Sequence, residues 1–234
     1  MAQPSRTEEK DPRGGVYSQD HLPIRPDDIQ RTSFEIIERE LERPDLSPEE
    51  WLVARRVIHS TGDFEFAQLL RFHPQAFAAA DAAIRGGEDI LTDVEMVRMG
   101  IHGLARSRYG LQVRCHLNDA EVSLEAQGQG TTRSAQGILR GLQHGRVGIC
   151  VIGNAPTALR ALVEACEVSD LVKPRLIVGV PVGFVDAAES KLALSRTDTI
   201  PWITCLGRKG GSAVAAGVVN ALLEWVPPRR TVEE

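Results

Sequence analysis

The sequence predicts an α/β fold: a three-layer α/β/α domain with a largely parallel sheet and a helical N-terminal part. Short β-branched runs in the second half are each followed by a glycine-containing loop and then by a helical pattern. Strands that alternate with helices in this way form parallel sheets covered on both faces. The first half instead shows the 3.6-residue apolar period of helices. A length of 234 residues with 42% hydrophobic content is sufficient for a substantial core.

Three helices are predicted in the first half. Apolar positions between residues 27 and 41 follow the helical period and share their stripe with Ser33. The string Ser47-Pro48-Glu49-Glu50 is a capping box with proline at the first helical position, so the second helix begins there. Gly62 marks its C-terminal end, which places His59 in the last turn. The third predicted helix covers residues 74–85.

The predicted strands lie mostly in the second half. They are Val147–Ile152, Leu176–Val180 and Trp202–Leu206, with a shorter one over Asp89–Thr92 and an alternating one over Leu111–Leu117. In parallel sheets ligands bind beyond the carboxyl ends of the strands, where the glycine loops would cluster. Backbone N–H groups at the following helix starts favour anions, so this edge is predicted to bind carboxylates or phosphates. Tight structural turns are the competing interpretation of each loop alone.

Composition excludes several classes of protein. A net charge of −5 argues against a nucleic-acid partner, and no apolar run is long enough to span a membrane. The four cysteines are far apart and the N-terminus lacks an apolar signal region, so we expect a reducing, cytoplasmic setting. Residues 1–20 and 226–234 are polar and are predicted to be disordered tails around a single domain over residues 21–225.

No standard cofactor signature is present. The loop GRKGGS, Gly207–Ser212, lacks the spacing of a nucleotide-binding loop, although it contains Lys209. The histidines and cysteines show no ligand spacing, so no metal site is predicted.

Three polar residues remain open to a structural or a functional interpretation. His59 is either a helix C-terminal cap or a group that handles a proton. Arg133 lies at a predicted helix start, where the macrodipole disfavours a cation; it is either solvated or binds an anionic ligand. Ser33 either bonds back to the preceding helical turn or faces a ligand.

Seven strings occur in an order that resembles the precorrin-8X methylmutase family, also called cobalt-precorrin-8 methylmutase. They are SFEIIERE, VIHSTGDFEFAQLLRF, LTDVEMV, TTRSA, IGNAPTAL, GVPVGFVDAAESK and GRKGGSAVAAGVVNAL. The resemblance extends from about His21 to Leu223.

The resemblance implies an isomerase of corrin ring synthesis in the cobalamin pathway. The family moves a methyl group from C-11 to C-12 of precorrin-8X or cobalt-precorrin-8, has a three-layer α/β/α fold and forms homodimers. Its catalytic histidine matches His59, which we expect to act as general acid, kept protonated by the helix C-terminus and by nearby Asp63 and Glu65.

The resemblance also implies that the reaction uses no cofactor and that Ser33 and Arg133 contact the substrate. Asn154, Lys209, Gly210 and Gly211 are predicted to bind the substrate as well, because they lie in the glycine-containing loops that follow the strands. One departure is visible. The arginine belongs to an Asn-Thr-Arg-Ser/Thr motif of the family, and Thr131 stands at the position of its asparagine. Two alternatives to the methylmutase remain at this point: a non-catalytic tetrapyrrole-binding protein, and an enzyme that binds a nucleotide or phosphate ligand on the same loops. The sequence favours neither the metal-free nor the cobalt-loaded substrate.

Overall fold

The computed structural model describes residues 26–41, 45–103, 107–168 and 173–227. The chain divides into two compact units, one ending at Glu40 and the other beginning at Leu41. The predicted tail over residues 1–20 lies outside the described residues, as does the predicted tail over 226–234 from residue 228 onward. The single domain predicted over residues 21–225 stays a prediction.

The first unit contains helix α1, Pro26–Glu40. Its bounds agree with the predicted helix over residues 27–41. The hydroxyl of Ser33 donates a hydrogen bond of 2.8 Å to the carbonyl oxygen of Ile29, one turn earlier.

The second unit alternates helices and strands. Its described helices are α2 (Pro48–Thr61), α3 (Phe66–Leu69), α4 (Ala76–Arg85), α5 (Glu95–Gly100), α6 (Ala120–Gln129), α7 (Arg133–His144), α8 (Pro156–Glu167), α9 (Ala187–Leu194) and α10 (Ser212–Trp225). Its described strands are β1 (Leu70–Phe72), β2 (Asp89–Thr92), β3 (Val113–Arg114), β4 (Val147–Ile152), β5 (Leu176–Gly179) and β6 (Trp202–Cys205).

The strands form one sheet in the order β1-β6-β5-β4-β2-β3. Strands β2 to β6 pair in parallel, and β1 pairs antiparallel with β6 at the edge. The predicted strands β2 and β4 have the predicted bounds, whereas β5 and β6 each end one residue earlier. Strand β3 covers only two of the seven residues predicted for it, and β1 was not predicted at all.

Helices cover the sheet in two groups. Helices α2, α4 and α5 pack against α10, which contacts β4 and β5. Helices α6, α7, α8 and α9 pack against one another in sequence, and α7, α8 and α9 contact β2, β4 and β6 respectively. Every residue of β4, β5 and β6 is buried, as expected for strands with both faces covered. The three-layer α/β/α fold with a largely parallel sheet is confirmed.

Among the described helices, none has the length and the apolar run that crossing a bilayer requires.

Candidate active site

Helix α2 places His59 as the sequence predicts. The Ser47 hydroxyl accepts a hydrogen bond from the Glu50 N–H at 3.2 Å, and the Glu50 carboxylate accepts one from the Ser47 N–H at 2.8 Å. This capping box fixes the start of the helix. At the other end Gly62 is left-handed, with φ 65°, and its N–H donates to the carbonyl oxygen of Ile58. His59 therefore lies in the last turn, three residues before the glycine that ends the helix.

His59 opens onto a pocket between α2, the end of α5 and α10. The pocket has a volume of about 290 Å³. The residues that line it are Arg56, His59, Ser60, Gly100, His102, Ala213, Ala216, Gly217 and Asn220. Small residues on α10 leave the space open, and the polar groups come mainly from α2.

Close contact between α2 and α10 forms the base of the pocket. A Cβ atom at Gly217 would lie 2.8 Å from the Ser60 hydroxyl oxygen, so a larger residue there would require the Ser60 side chain to move. The side chain of Asn220 accepts a hydrogen bond from the His102 N–H at 2.9 Å and donates one to the Gly100 carbonyl at 3.0 Å. Asn220 thus ties the segment after α5 to α10.

Arg56 is a buried cation in the pocket wall, with 7% of its side chain exposed. Its Nη2 lies 3.3 Å from the Glu224 carboxylate and 3.4 Å from Nδ1 of His102, both long contacts. Its Nη1 is buried and has no hydrogen-bond partner among the described residues. An unsatisfied buried donor costs roughly 1–3 kcal/mol, and more when it carries charge. The pocket wall therefore contains a positive charge, which favours an anionic group in the pocket.

The charge state expected for His59 has to be corrected. Burial lowers the pKa of His59 below its ordinary value of 6.5, and the positive charge of Arg56 lowers it further. Asp63 and Glu65 were expected to hold the ring protonated, but both carboxylates pair with the Lys209 ammonium, at 2.5 and 2.8 Å. In this structure His59 is thus predominantly neutral at neutral pH.

The predicted residue Lys209 lies next to this turn rather than in the pocket wall. Its two ion pairs connect the loop after β6 to the turn that follows α2. In the same loop, Gly210 has φ 155°, and a Cβ atom there would collide with the carbonyl oxygen of Val180. The N–H of Gly211 donates to that same oxygen at 2.9 Å. Both glycines therefore serve a close backbone approach between two loops.

Asn154 follows β4 in a loop held by Asp93, a residue that was not predicted. The Asp93 carboxylate is buried and accepts hydrogen bonds from the N–H groups of Gly153, Asn154 and Ala155, at 3.0, 2.8 and 2.8 Å. Burial raises the pKa of Asp93, although the three N–H donors oppose the shift. The Asn154 side chain is exposed at the start of α8.

Arg133 is the first residue of α7, as predicted, and its side chain is exposed. The cap of this helix is Thr132, whose hydroxyl accepts a hydrogen bond from the Ala135 N–H at 3.2 Å. Of the seven predicted site residues, His59 lines the pocket. The other predicted residues of the second unit are not among the lining residues; they are Arg133, Asn154, Lys209, Gly210 and Gly211. Ser33 belongs to the first unit. The substrate contacts of these six residues stay predictions.

Arg56 is one of the pocket residues that the sequence interpretation missed, together with Ser60, His102 and Asn220. It precedes His59 by three residues, so the two share one face of α2. That spacing was the available signal. Because Arg55 is adjacent, the sequence did not indicate which of the two arginines faces inward. In the described residues no group of three or more histidine, cysteine, aspartate or glutamate side chains could hold a metal ion.

Comparison with known proteins gives consistent matches. Residues 28–225 match the family model of precorrin-8X methylmutase. The chain is 43% identical over 197 residues to a precorrin-8X methylmutase of Pseudomonas aeruginosa, a match that covers 83% of this chain and 93% of the relative. It is 42% identical over 205 residues to a cobalt-precorrin-8 methylmutase of Synechocystis, covering 82% and 92%. A solved structure of a precorrin-8x methyl mutase from Thermus thermophilus superposes with a TM-score of 0.77 at 38% identity, covering 84% of this chain and 94% of that one.

Proposed function

The chain belongs to the precorrin-8X methylmutase family, whose members are methyl-migrating isomerases, and we propose that it moves a methyl group from C-11 to C-12 of precorrin-8X or its cobalt form with His59 as general acid. The observation that supports the mechanism is that His59 and Arg56 line the same pocket. The family resemblance implies that the reaction needs no cofactor, and the atom balance is consistent with this because substrate and product are isomers.

The pocket suits one edge of a tetrapyrrole with carboxylate arms. At about 290 Å³ it is at the lower end of the volumes of ligand sites, so most of the macrocycle lies outside it. A carboxylate arm that enters would be attracted by the positive charge of Arg56, which lines the pocket. We propose that the remainder of the substrate contacts the six other predicted residues, which are Ser33, Arg133, Asn154, Lys209, Gly210 and Gly211.

Binding of a carboxylate at Arg56 also prepares His59 for its role. Burial and the charge of Arg56 lower the pKa of His59. A bound carboxylate compensates that charge and adds an anion near the ring, so both effects raise the pKa. His59 would thus take up a proton as the substrate binds.

The proton is then used on the ring system. Donation from the His59 imidazolium to a ring nitrogen draws electrons toward C-12 and favours migration of the methyl group. Because the product is an isomer of the substrate, the proton is recovered at the end of the cycle. A positioned general acid contributes about 10²–10⁴ in rate.

We propose further that the enzyme is a cytoplasmic homodimer. The four cysteines are free, which supports a reducing compartment. The dimer is proposed from the family resemblance.

Incubation of the purified protein with metal-free and with cobalt-loaded precorrin-8 tests the reaction directly, because migration changes the absorption spectrum. Conversion of either form supports the proposal, and failure to convert either form contradicts it. A thermal-shift comparison of ATP, NAD and hydrogenobyrinic acid addresses the alternatives. Stabilisation by ATP or NAD alone would favour a nucleotide enzyme, whereas stabilisation by the corrin without any turnover would favour a tetrapyrrole-binding protein.

A further inference from the structure

Lys191 is a fully buried lysine that the proposed chemistry does not use. It lies in α9, and its side chain is completely excluded from solvent. The ammonium donates a hydrogen bond of 2.5 Å to the carbonyl oxygen of Lys209 and lies 3.7 Å from the sulfur of Cys205. Its described partners are thus a backbone carbonyl and a thiol rather than a carboxylate.

A buried ammonium without a carboxylate is energetically costly. The cost is visible as a lowered pKa of Lys191, caused by desolvation and only partly opposed by Cys205. A methionine would fill the same space without this penalty. The reason for a lysine is therefore to be sought in the bond that it makes.

That bond holds the loop between β6 and α10. The carbonyl of Lys209 also lies 3.2 Å from the sulfur of Cys205, so it is held from two sides. The N–H of Gly211 donates to the Val180 carbonyl at 2.9 Å, and the N–H of Gly183 donates to the Arg208 carbonyl at 3.2 Å. The loops that follow β5 and β6 are thereby joined, with Lys191 beneath them.

The same loop reaches the turn after His59. While its carbonyl is held by Lys191, the side chain of Lys209 pairs with Asp63 and Glu65, four and six residues after the histidine. The loop also leads directly into α10, which carries four residues of the pocket wall. A continuous series of contacts therefore connects Lys191 with both sides of the pocket.

We propose that Lys191 is a positioning residue, which holds the Lys209 carbonyl and so fixes the loop that joins α10 to the turn after His59. Its effect on turnover depends on the proposed function, whereas its effect on the loop does not. The two parts are tested separately.

The loop is tested without substrate, by amide hydrogen exchange of Lys191→Met and of a matched control, Lys173→Met, at an exposed lysine. In Lys191→Met the Gly211 and Gly183 amides should exchange about tenfold faster than in wild type, because local opening becomes easier. The control should exchange as wild type does. Unchanged protection of both amides in a folded Lys191→Met protein would overturn the proposal.

Turnover of precorrin-8X then shows whether the loop matters for chemistry. We expect kcat of Lys191→Met to fall about 10- to 100-fold, because small displacements of reacting groups have effects of this size. The dissociation constant of hydrogenobyrinic acid should rise by a smaller factor than the rate falls, since Lys191 acts on the proposed contacts Lys209, Gly210 and Gly211 only through the loop. Lys191→Gln keeps a donor and should recover part of the rate. Equal rates for wild type and both variants would refute the catalytic part.

The outcomes separate the two proposals. If wild type does not convert precorrin-8X, the proposed function fails, and the exchange experiment still decides the role of Lys191 in the loop. If neither Lys191 variant folds, the residue serves stability and the positioning proposal is refuted.

Discussion

Replacement of Arg56 by methionine should weaken corrin binding while leaving the fold nearly as stable. The substitution removes the guanidinium but keeps most of the apolar stem. If Arg56 binds a carboxylate arm, the variant loses charge-assisted hydrogen bonds worth roughly 1.5–3 kcal/mol. Because each 1.4 kcal/mol is a factor of ten, the dissociation constant of hydrogenobyrinic acid should rise roughly 10- to 140-fold.

The expected change in stability is small because two opposing effects nearly cancel. The variant loses contacts of Nη2 at 3.3 Å to Glu224 and 3.4 Å to His102, both long and therefore weak. It also removes the buried Nη1, which has no hydrogen-bond partner among the described residues and whose desolvation costs roughly 1–3 kcal/mol. The free energy of unfolding should therefore change by less than about 1.5 kcal/mol in either direction.

Titration calorimetry with the corrin and chemical denaturation together test this reasoning. Arg55→Met is the matched control, since Arg55 is adjacent in α2 but does not line the pocket. An NMR titration of the His59 ring adds an independent signal, because loss of the Arg56 charge should raise the pKa of His59. Equal corrin affinity in wild type and Arg56→Met, or a loss of stability above about 3 kcal/mol, would show that Arg56 is structural.

Three further predictions concern other parts of the chain. Glu88 is buried and accepts hydrogen bonds from Arg175 and Arg146. The Arg175 hydrogen bonds are the main reason that the pKa of Glu88 lies below its ordinary value of 4.5. Glu88→Gln should therefore lower the free energy of unfolding by roughly 1.5–3 kcal/mol at pH 7. Since the folded pKa is lowered, this difference in the free energy of unfolding should shrink as the pH falls below 4.5, and a pH-independent difference from denaturation curves would contradict it. Arg133→Ala should weaken the binding of hydrogenobyrinic acid by roughly 1.5–3 kcal/mol and leave the rate of the chemical step nearly unchanged. Equal dissociation constants for wild type and variant would show that Arg133 is a solvated residue. Light scattering should give twice the chain mass of 25.6 kDa, and a mass near 25.6 kDa would refute the homodimer.

The sequence predicts those elements whose local signals agree with their tertiary surroundings. The capping box and Gly62 define α2 because side-chain and backbone groups within one turn decide both ends. Strand β4 is predicted at its observed bounds because a strand buried on both faces needs an unbroken apolar run. Strand β1 was missed because its three residues acquire strand structure only by pairing with β6, more than a hundred residues later.

The candidate site is less predictable for the same reason. His59 can be found from its place at the end of α2 and from the family resemblance, but its pKa depends on burial and on the inward turn of Arg56. The engagement of Lys209 by Asp63 depends on a contact between residues 146 positions apart. Local patterns identify which residues are chemically capable, while long-range packing decides which of them meet.

The single-turnover rate of His59→Asn with precorrin-8X tests the proposed mechanism most directly. Asparagine keeps some of the volume and polarity of histidine but cannot act as an acid near neutral pH. Absorbance after rapid mixing of excess enzyme with substrate follows the conversion, and the corrin dissociation constant and melting temperature control for binding and folding. If His59 is the general acid, the rate should fall by ~10²–10⁴ while both controls stay close to wild type. A variant that converts precorrin-8X within a few-fold of the wild-type rate would remove His59 from the mechanism.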